Sequence, residues 1–130
     1  LPGRIDQAVF SAEPYVYSQY ITSDEHETAG RASHSWQTGT AAWMYVAGTQ
    51  WILGIRPSYQ GLVIAPVVPD SWKGFRAVRV FRGVRYAIDV RREGPGGVVK
   101  LAVDGRPVLG SVVPFPKAGT AEVKVDVVLG

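Results

Sequence analysis

The sequence predicts an α+β fold, in which a short helical segment is followed by an antiparallel β-sandwich or jelly-roll-like domain. Before Gly54, apolar residues recur at helical spacing, most clearly in the run 40–53. After Gly54, they alternate with polar residues in short segments that turn-forming residues separate. These two spacings distinguish helices from half-buried strands, so we place the change from helix to strand near Gly54.

Two helices are predicted in the first part of the chain. The first runs from about Pro14 to Ile21, because proline suits the first helical position. The polar stretch Thr22–Ser35 is predicted to be a loop. The second helix runs from about Thr40 to Leu53, with Thr40 as its N-cap and Gly54 as a left-handed stop. Apolar residues lie on most sides of this helix, so we expect neighbours to bury most of it.

The remainder of the chain is predicted to form short antiparallel strands. Tyr86, Ile88 and Val90 alternate with polar residues, which is typical of a half-buried strand. Arg82-Gly83 and Asp104-Gly105 are predicted to form hairpin turns. The predicted strands share β-branched and aromatic residues and cover about Leu62–Ala65, Val78–Phe81, Val84–Val90, Val99–Val103, Val108–Val113 and Ala121–Leu129.

Composition narrows the functional class. The chain has 130 residues, a net charge of +3 and no cysteine, so it has no disulfide framework and none of the common thiolate metal sites. Several arginines alternate with apolar residues, which predicts the solvated face of strands and not a nucleic-acid surface. No apolar run is long enough to cross a bilayer. We therefore expect no metal, no nucleic acid and no membrane partner, and the composition fits the cytoplasm.

The segment from Ser35 to Trp43 is the one that indicates chemistry. It reads Ser-Trp-Gln-Thr-Gly-Thr-Ala-Ala-Trp, and its hydroxyl-rich part leads into the second predicted helix. Free N–H groups and the positive end of the helix dipole favour an anion at such a position. Gly39 would allow close approach to the backbone, and Thr38 would add a hydroxyl donor. The alternative is an ordinary helix cap.

The order of several motifs is more specific than any one of them. The runs Glu13–Tyr17, Ser35–Trp43 and Ile52–Pro57 resemble the cellobiose phosphorylase family, glycoside hydrolase family 94. Further matches follow in the stretch 61–83, so the resemblance covers about Glu13–Val90. Past Gly94 only a generic β-rich tail is expected.

The resemblance implies both an architecture and a reaction. Residues 1–55 would be the last helices of an (α/α)6 catalytic barrel, and residues 56–130 a C-terminal β-sandwich domain. The family cleaves a β-linked disaccharide or oligosaccharide with inorganic phosphate as co-substrate and no cofactor, giving an α-sugar 1-phosphate. Thr38 and Gly39 would bind phosphate, and Gln19, on the first predicted helix, would contact the sugar.

The same resemblance places the general acid and a phosphate-binding histidine upstream, so no catalytic residue is expected in this chain. Its implied partners are the remainder of the parent enzyme, the oligosaccharide and phosphate, with a possible homodimer of the parent. His26 and His34 are expected to be loop histidines bonded locally. Trp36 and Trp43 are interpreted as core residues in preference to sugar platforms. Glu13 is interpreted as a helix cap in preference to a sugar contact.

Two other functions remain open. One is a stand-alone β-sandwich that binds carbohydrate or protein, although such a module has no use for the helical segment that carries Thr38 and Gly39. The other is the phosphorylase-like tail of a cyclic β-1,2-glucan synthase, which has related motifs.

Overall fold

The computed structural model describes residues 6–13 and 16–130. These residues fall into two compact units that divide between Val46 and Ala47. None of the helices in the described part of the chain is long and apolar enough to span a membrane.

The first unit contains two helices and a small antiparallel sheet. Helix α1 covers Gln7–Phe10, with the Asp6 carboxylate accepting the Ala8 N–H at 2.9 Å as its cap. Strands β1 (Tyr20–Ile21) and β2 (Ala32–Ser33) pair with each other, and helix α2 covers Thr40–Val46.

The prediction of a helix from Pro14 to Ile21 is wrong for the residues that the structure describes. Pro14 and Tyr15 lie outside that part, residues 16–19 are not helical, and Tyr20 and Ile21 form β1. The Thr22 hydroxyl bonds the Thr28 and Arg31 carbonyl groups, which closes the loop that follows β1. Aromatic and β-branched residues favour strands, and this loop brings β2 alongside them.

The second predicted helix is present, but its geometry changes along its length. Helix α2 is followed by a π-helical segment at Ala47–Ile52, and the Leu53 N–H bonds the Gly48 carbonyl at 2.8 Å. Gly54 then adopts φ +69°, which confirms the predicted left-handed stop. No residue of α2 or of the π-helical segment is buried, contrary to the expected burial on most sides.

The second unit contains two sheets. Strands β3 (Ile55–Pro57), β4 (Gly61–Ile64) and β9 (Val112–Pro114) form a three-stranded antiparallel sheet. The other sheet has the order β5-β6-β10-β7-β8. Its strands, in chain order from β5 to β8 and then β10, are Gly74–Phe81, Val84–Arg92, Val98–Val103, Arg106–Val108 and Glu122–Leu129.

Two details of the predicted β domain need correction. Strand β10 pairs with β6 in parallel, with Val125 opposite Ile88, so the larger sheet is mixed and not purely antiparallel. The predicted strand Val108–Val113 is two strands, β8 and β9, which belong to different sheets. Gly110, at φ +80°, lies between them where the chain changes direction.

Both sheets contribute to one hydrophobic core. The alternation predicted for β6 is confirmed, because Tyr86, Ile88 and Val90 are buried while Arg85, Asp89 and Arg91 are exposed. The buried residues of the other strands join the same cluster; they include Leu62, Ile64, Leu101, Val113, Val123, Val125, Val127 and Leu129. Successive side chains of a β-strand point to opposite faces, so burying one face of β6 buries every second residue.

Arg92 departs from the predicted solvated arginine face, because its side chain is only 6% exposed. Its guanidinium donates to the carbonyl groups of Trp72, Gly94 and Val68 at 2.9–3.2 Å. It also pairs with Asp70 at 3.0 Å. A buried arginine is stable only when its donors are satisfied, and here those bonds tie the loop after β4 to the loop after β6.

Candidate functional site

The start of helix α2 places Thr38, Gly39 and Thr40 in one hydrogen-bonded arrangement. The Trp43 N–H donates to the Gly39 carbonyl at 3.1 Å, which makes Gly39 the N-cap and Thr40 the first helical residue. The prediction that Thr40 is the N-cap is therefore off by one residue. The capping acceptor is Thr38, whose hydroxyl oxygen accepts the Thr40 N–H at 3.1 Å.

The two threonine hydroxyls also bond each other, with their oxygens 2.7 Å apart. Thr38 and Thr40 are half-buried, whereas Gly39 is exposed. A Cβ added at Gly39 would meet only the Trp43 side chain, at 3.7 Å. The backbone at Gly39 is thus open to a small ligand, and the Thr38 hydroxyl lies beside that opening.

The structure brings the segment of Gln19 to the same place. The Thr40 hydroxyl donates to the Ser18 carbonyl at 3.5 Å, across 22 positions of sequence. Gln19 itself is exposed, and its N–H donates to the Ser33 carbonyl at 3.0 Å. Gln19 therefore lies in a bend immediately before β1, not on the helix that the sequence predicted.

Glu13, which the sequence assigned to a helix cap, instead bonds the segment before α2. Glu13 accepts hydrogen bonds from the Ser35 hydroxyl at 2.9 Å and from the Trp36 indole N–H at 3.3 Å. Its own backbone N–H, then Ser35, then Trp36 lower the pKa of this carboxyl below its usual value. Glu13 therefore anchors the beginning of the segment that leads to Thr38, and no sequence spacing indicates a contact between residues so far apart.

The comparisons with known proteins address the same part of the chain. The family described as "Glycosyl hydrolase 94 superfamily, catalytic domain" matches residues 4–54. An N,N′-diacetylchitobiose phosphorylase of Vibrio proteolyticus is 41% identical over 123 residues, which are 92% of this chain and 15% of that protein. Residues 4–54 belong to the glycosyl hydrolase 94 superfamily.

Two further relatives are named for different activities. A solabiose phosphorylase of Paenibacillus borealis is 35% identical over 117 residues, which are 88% of this chain and 15% of that protein. A cyclic β-(1,2)-glucan synthase of Rhizobium meliloti is 37% identical over 102 residues, 78% of this chain and 4% of that protein. The chain thus spans about 15% of the length of these phosphorylases. The similarity also extends beyond Glu13–Val90, which corrects the expectation of a merely generic tail.

Gln19, Thr38 and Gly39 all lie within the glycosyl hydrolase 94 segment. The two histidines of this segment are bonded locally, as predicted. The His26 Nδ1 accepts the Thr28 N–H at 3.1 Å, and the His34 Nδ1 lies 2.9 Å from the Ser33 hydroxyl. No cluster of three or more potential metal ligands occurs among the described residues.

Trp36 and Trp43, which the sequence assigned to a core, are exposed in the described part of the chain. Trp36 is 76% exposed and Trp43 is 74% exposed. Tyr45 and Trp51 are exposed as well. Large exposed aromatic side chains often mark places that another polypeptide segment or a ligand covers.

Proposed function

We propose that this chain is the C-terminal part of an inverting glycoside phosphorylase, which cleaves a β-linked disaccharide or oligosaccharide with inorganic phosphate. The observation that carries the proposal is the 41% identity to a diacetylchitobiose phosphorylase over 92% of the chain. The match to a solabiose phosphorylase over 88% of the chain supports the same reaction class.

In the proposed reaction, a phosphate oxygen attacks the anomeric carbon from the face opposite the glycosidic bond. That bond breaks, and a general acid outside this chain protonates the departing oxygen. The product is an α-sugar 1-phosphate. Phosphate replaces the activated water of an inverting hydrolase, so fixed donors must hold it in line. Phosphate is then the only co-substrate, and no cofactor takes part.

We assign the phosphate contacts to Thr38 and Gly39. The Thr38 oxygen accepts the Thr40 N–H, and the two threonine hydroxyls share one hydrogen bond in which either can donate. When Thr40 donates to Thr38 in place of the Ser18 carbonyl, the Thr38 proton is free to point at a ligand. The exposed backbone of Gly39 permits close approach of an anion, and the N-terminus of α2 adds a favourable field. The exposed amide of Gln19 would contact a sugar hydroxyl as donor or acceptor.

The exposed aromatic residues of α2, and those of the π-helical segment, fit a place within a larger enzyme. We propose that residues 1–55 are the last helices of an (α/α)6 barrel and that the remainder of the barrel covers Trp43, Tyr45 and Trp51. Residues 56–130 would be the C-terminal β-sandwich, in keeping with two sheets that share one core. We further propose that the parent enzyme acts in the cytoplasm as a homodimer.

A second candidate is the phosphorylase-like tail of a cyclic β-1,2-glucan synthase. The observation in its favour is the 37% identity to such a synthase over 78% of the chain. The two candidates differ in whether the parent enzyme releases sugar 1-phosphate from a short β-linked substrate.

The proposal is tested by incubating the parent enzyme with β-linked disaccharides, with and without inorganic phosphate, and following ³¹P NMR signals. We expect an α-sugar 1-phosphate that forms only when phosphate is present. Residues 1–130 alone should be inactive, because loss of a general acid costs about 10²–10⁴-fold in rate. Release of free sugars at the same rate without phosphate would exclude a phosphorylase, and formation of cyclic glucan alone would favour the second candidate.

A further inference from the structure

A pocket at one end of the second unit has a composition that the reaction does not explain. It encloses about 350 Å³, within the range of about 300–1,000 Å³ that is usual for small-molecule sites. Its walls include Arg82 from the β5–β6 turn and Lys117 and Thr120 from the turn before β10. Within the described part of the chain, no acidic side chain lines this pocket.

The two cations of the pocket are not neutralised by the protein. Neither Arg82 nor Lys117 forms an ion pair with another described residue, whereas Arg76, Arg85, Arg91 and Arg92 each do. The Arg82 guanidinium lies 4.5 Å from the centre of the Phe115 ring and 5.6 Å from the centre of the Phe81 ring. Stacking of this kind holds a guanidinium in place while its N–H groups stay available.

Lys117 is held by its own turn. The Thr120 N–H donates to the Lys117 carbonyl at 3.2 Å, and Gly119 between them has φ +85°. The turn therefore brings Lys117 and Thr120 to the wall of one pocket.

Tyr86 adds a phenol hydroxyl to the groups that line the pocket. Its side chain is 1% exposed and forms part of the pocket wall. Its hydroxyl oxygen is not among the fully buried polar atoms of the described residues, so it reaches the water of the pocket. Burial raises the pKa of this phenol, and the positive charge of Arg82 acts on it in the opposite direction, which puts the guanidinium within electrostatic range of the hydroxyl. A ligand in the pocket could accept a hydrogen bond from this hydroxyl in place of water.

We propose that this pocket binds a phosphate group, either as free phosphate or in a small phosphate ester. A phosphate dianion would match two uncompensated cations, and its oxygens would accept hydrogen bonds from Arg82, Lys117, Thr120 and the Tyr86 hydroxyl. The planar guanidinium suits a bidentate contact with two phosphate oxygens. A neutral sugar would leave both cations without a counter-charge.

The test is an NMR titration of the full 130-residue chain with inorganic phosphate, glucose 1-phosphate or glucose. The amide signals of Gly83 and Gly119 should shift in a saturable way with both phosphates and not with glucose. Tighter binding of glucose 1-phosphate would identify an ester as the preferred ligand, and equal binding would identify the phosphate group alone. If neither signal responds to either phosphate, the proposal is overturned.

Matched variants separate this pocket from general charge attraction. Arg82→Gln with Lys117→Gln should weaken phosphate binding at least about tenfold. Lys100→Gln with Arg106→Gln removes the same charge from exposed residues that do not line the pocket, and should leave binding unchanged. Tyr86→Phe should weaken binding about threefold to tenfold without lowering the melting temperature. Equal losses in both double variants, or full binding by Tyr86→Phe, would contradict the assigned contacts.

Thr38→Asp lies in the first unit and should not change the shifts of Gly83 and Gly119. A result that contradicts phosphate binding at Thr38 is therefore distinguishable from one that contradicts phosphate binding in this pocket.

Discussion

Gly39→Ala in the parent enzyme should lower the efficiency of phosphorolysis by about 10- to 100-fold. The added methyl would occupy the space through which a phosphate oxygen approaches the backbone at the start of α2. The methyl itself fits the fold, because its nearest neighbour would be the Trp43 side chain at 3.7 Å. Alanine at an N-cap costs helix stability only about 0.5–1 kcal/mol relative to glycine, so the loss should appear in activity and not in folding.

Gly48→Ala is the matched control, since nothing lies within 4 Å of the added Cβ in the π-helical segment. The two variants should be compared by kcat/KM for phosphate and by melting temperature. Retention of full activity by Gly39→Ala would remove Gly39 from the phosphate site. Equal losses in both variants would show that any added methyl along this helix disturbs the enzyme.

Gly61→Ala should destabilise the second unit by at least about 4 kcal/mol, which is exceptional for a single substitution. Gly61 has φ +146°, a conformation that side chains rarely adopt. Its Cβ would lie 2.0 Å from the Val113 carbonyl oxygen on the paired strand β9. The obstructing atom is backbone, so relief requires β4 and β9 to separate and the core residues Leu62 and Val113 to lose their packing.

Gly83→Ala measures the free-energy cost of a positive φ in the absence of a steric clash. Gly83 also has a positive φ, +78°, but nothing lies within 4 Å of its added Cβ. We expect this variant to lose about 1–2 kcal/mol, the cost of a left-handed conformation alone. Urea unfolding of the chain measures both. Similar losses in the two variants would mean that the sheet absorbs the clash at Gly61.

The strands were the most predictable part of the fold, because their burial is decided locally. Each residue of β6 either faces the core or faces water, so alternation appears directly in the sequence. The turns at Arg82-Gly83 and Asp104-Gly105 were also predictable. All four residues have positive φ, as hairpin turns that match the strand twist require.

Non-local pairing explains the errors in the fold. The parallel pairing of β10 with β6 joins segments that three other strands separate, and no local pattern encodes it. The short strand β1 exists because β2 returns beside it, so the local preference after Pro14 did not decide the outcome. The exposure of Trp43 was unpredictable for a similar reason, because spacing shows an apolar surface but not what covers it.

The candidate site was predictable only in part. Helix-cap chemistry indicated that the segment before α2 could hold an anion, and the family resemblance selected Thr38, Gly39 and Gln19. Neither indicated that Thr38, and not Thr40, supplies the capping oxygen. A shift of the helix start by one residue is enough to change which threonine caps it. The bonds from Ser35 and Trp36 to Glu13 were also missed, because they depend on how the loops fold back.

In the proposed mechanism Thr38 binds phosphate as well as capping α2, and one substitution separates these roles. Thr38→Asp keeps a side-chain oxygen that can accept the Thr40 N–H, but it places a negative charge beside the proposed phosphate. At 4 Å and an effective dielectric of about 20, two like charges repel by about 4 kcal/mol. Thr38→Ser keeps the hydroxyl and serves as the matched control.

The measurement is the apparent KM for phosphate of the parent enzyme carrying each variant, with the melting temperature as a check on folding. We expect Thr38→Asp to raise this KM at least about 100-fold while the protein melts near the wild-type temperature. Thr38→Ser should stay within about threefold of wild type, because the donor is retained. If Thr38→Asp folds normally and its KM for phosphate is unchanged, Thr38 serves only to cap the helix and does not bind phosphate.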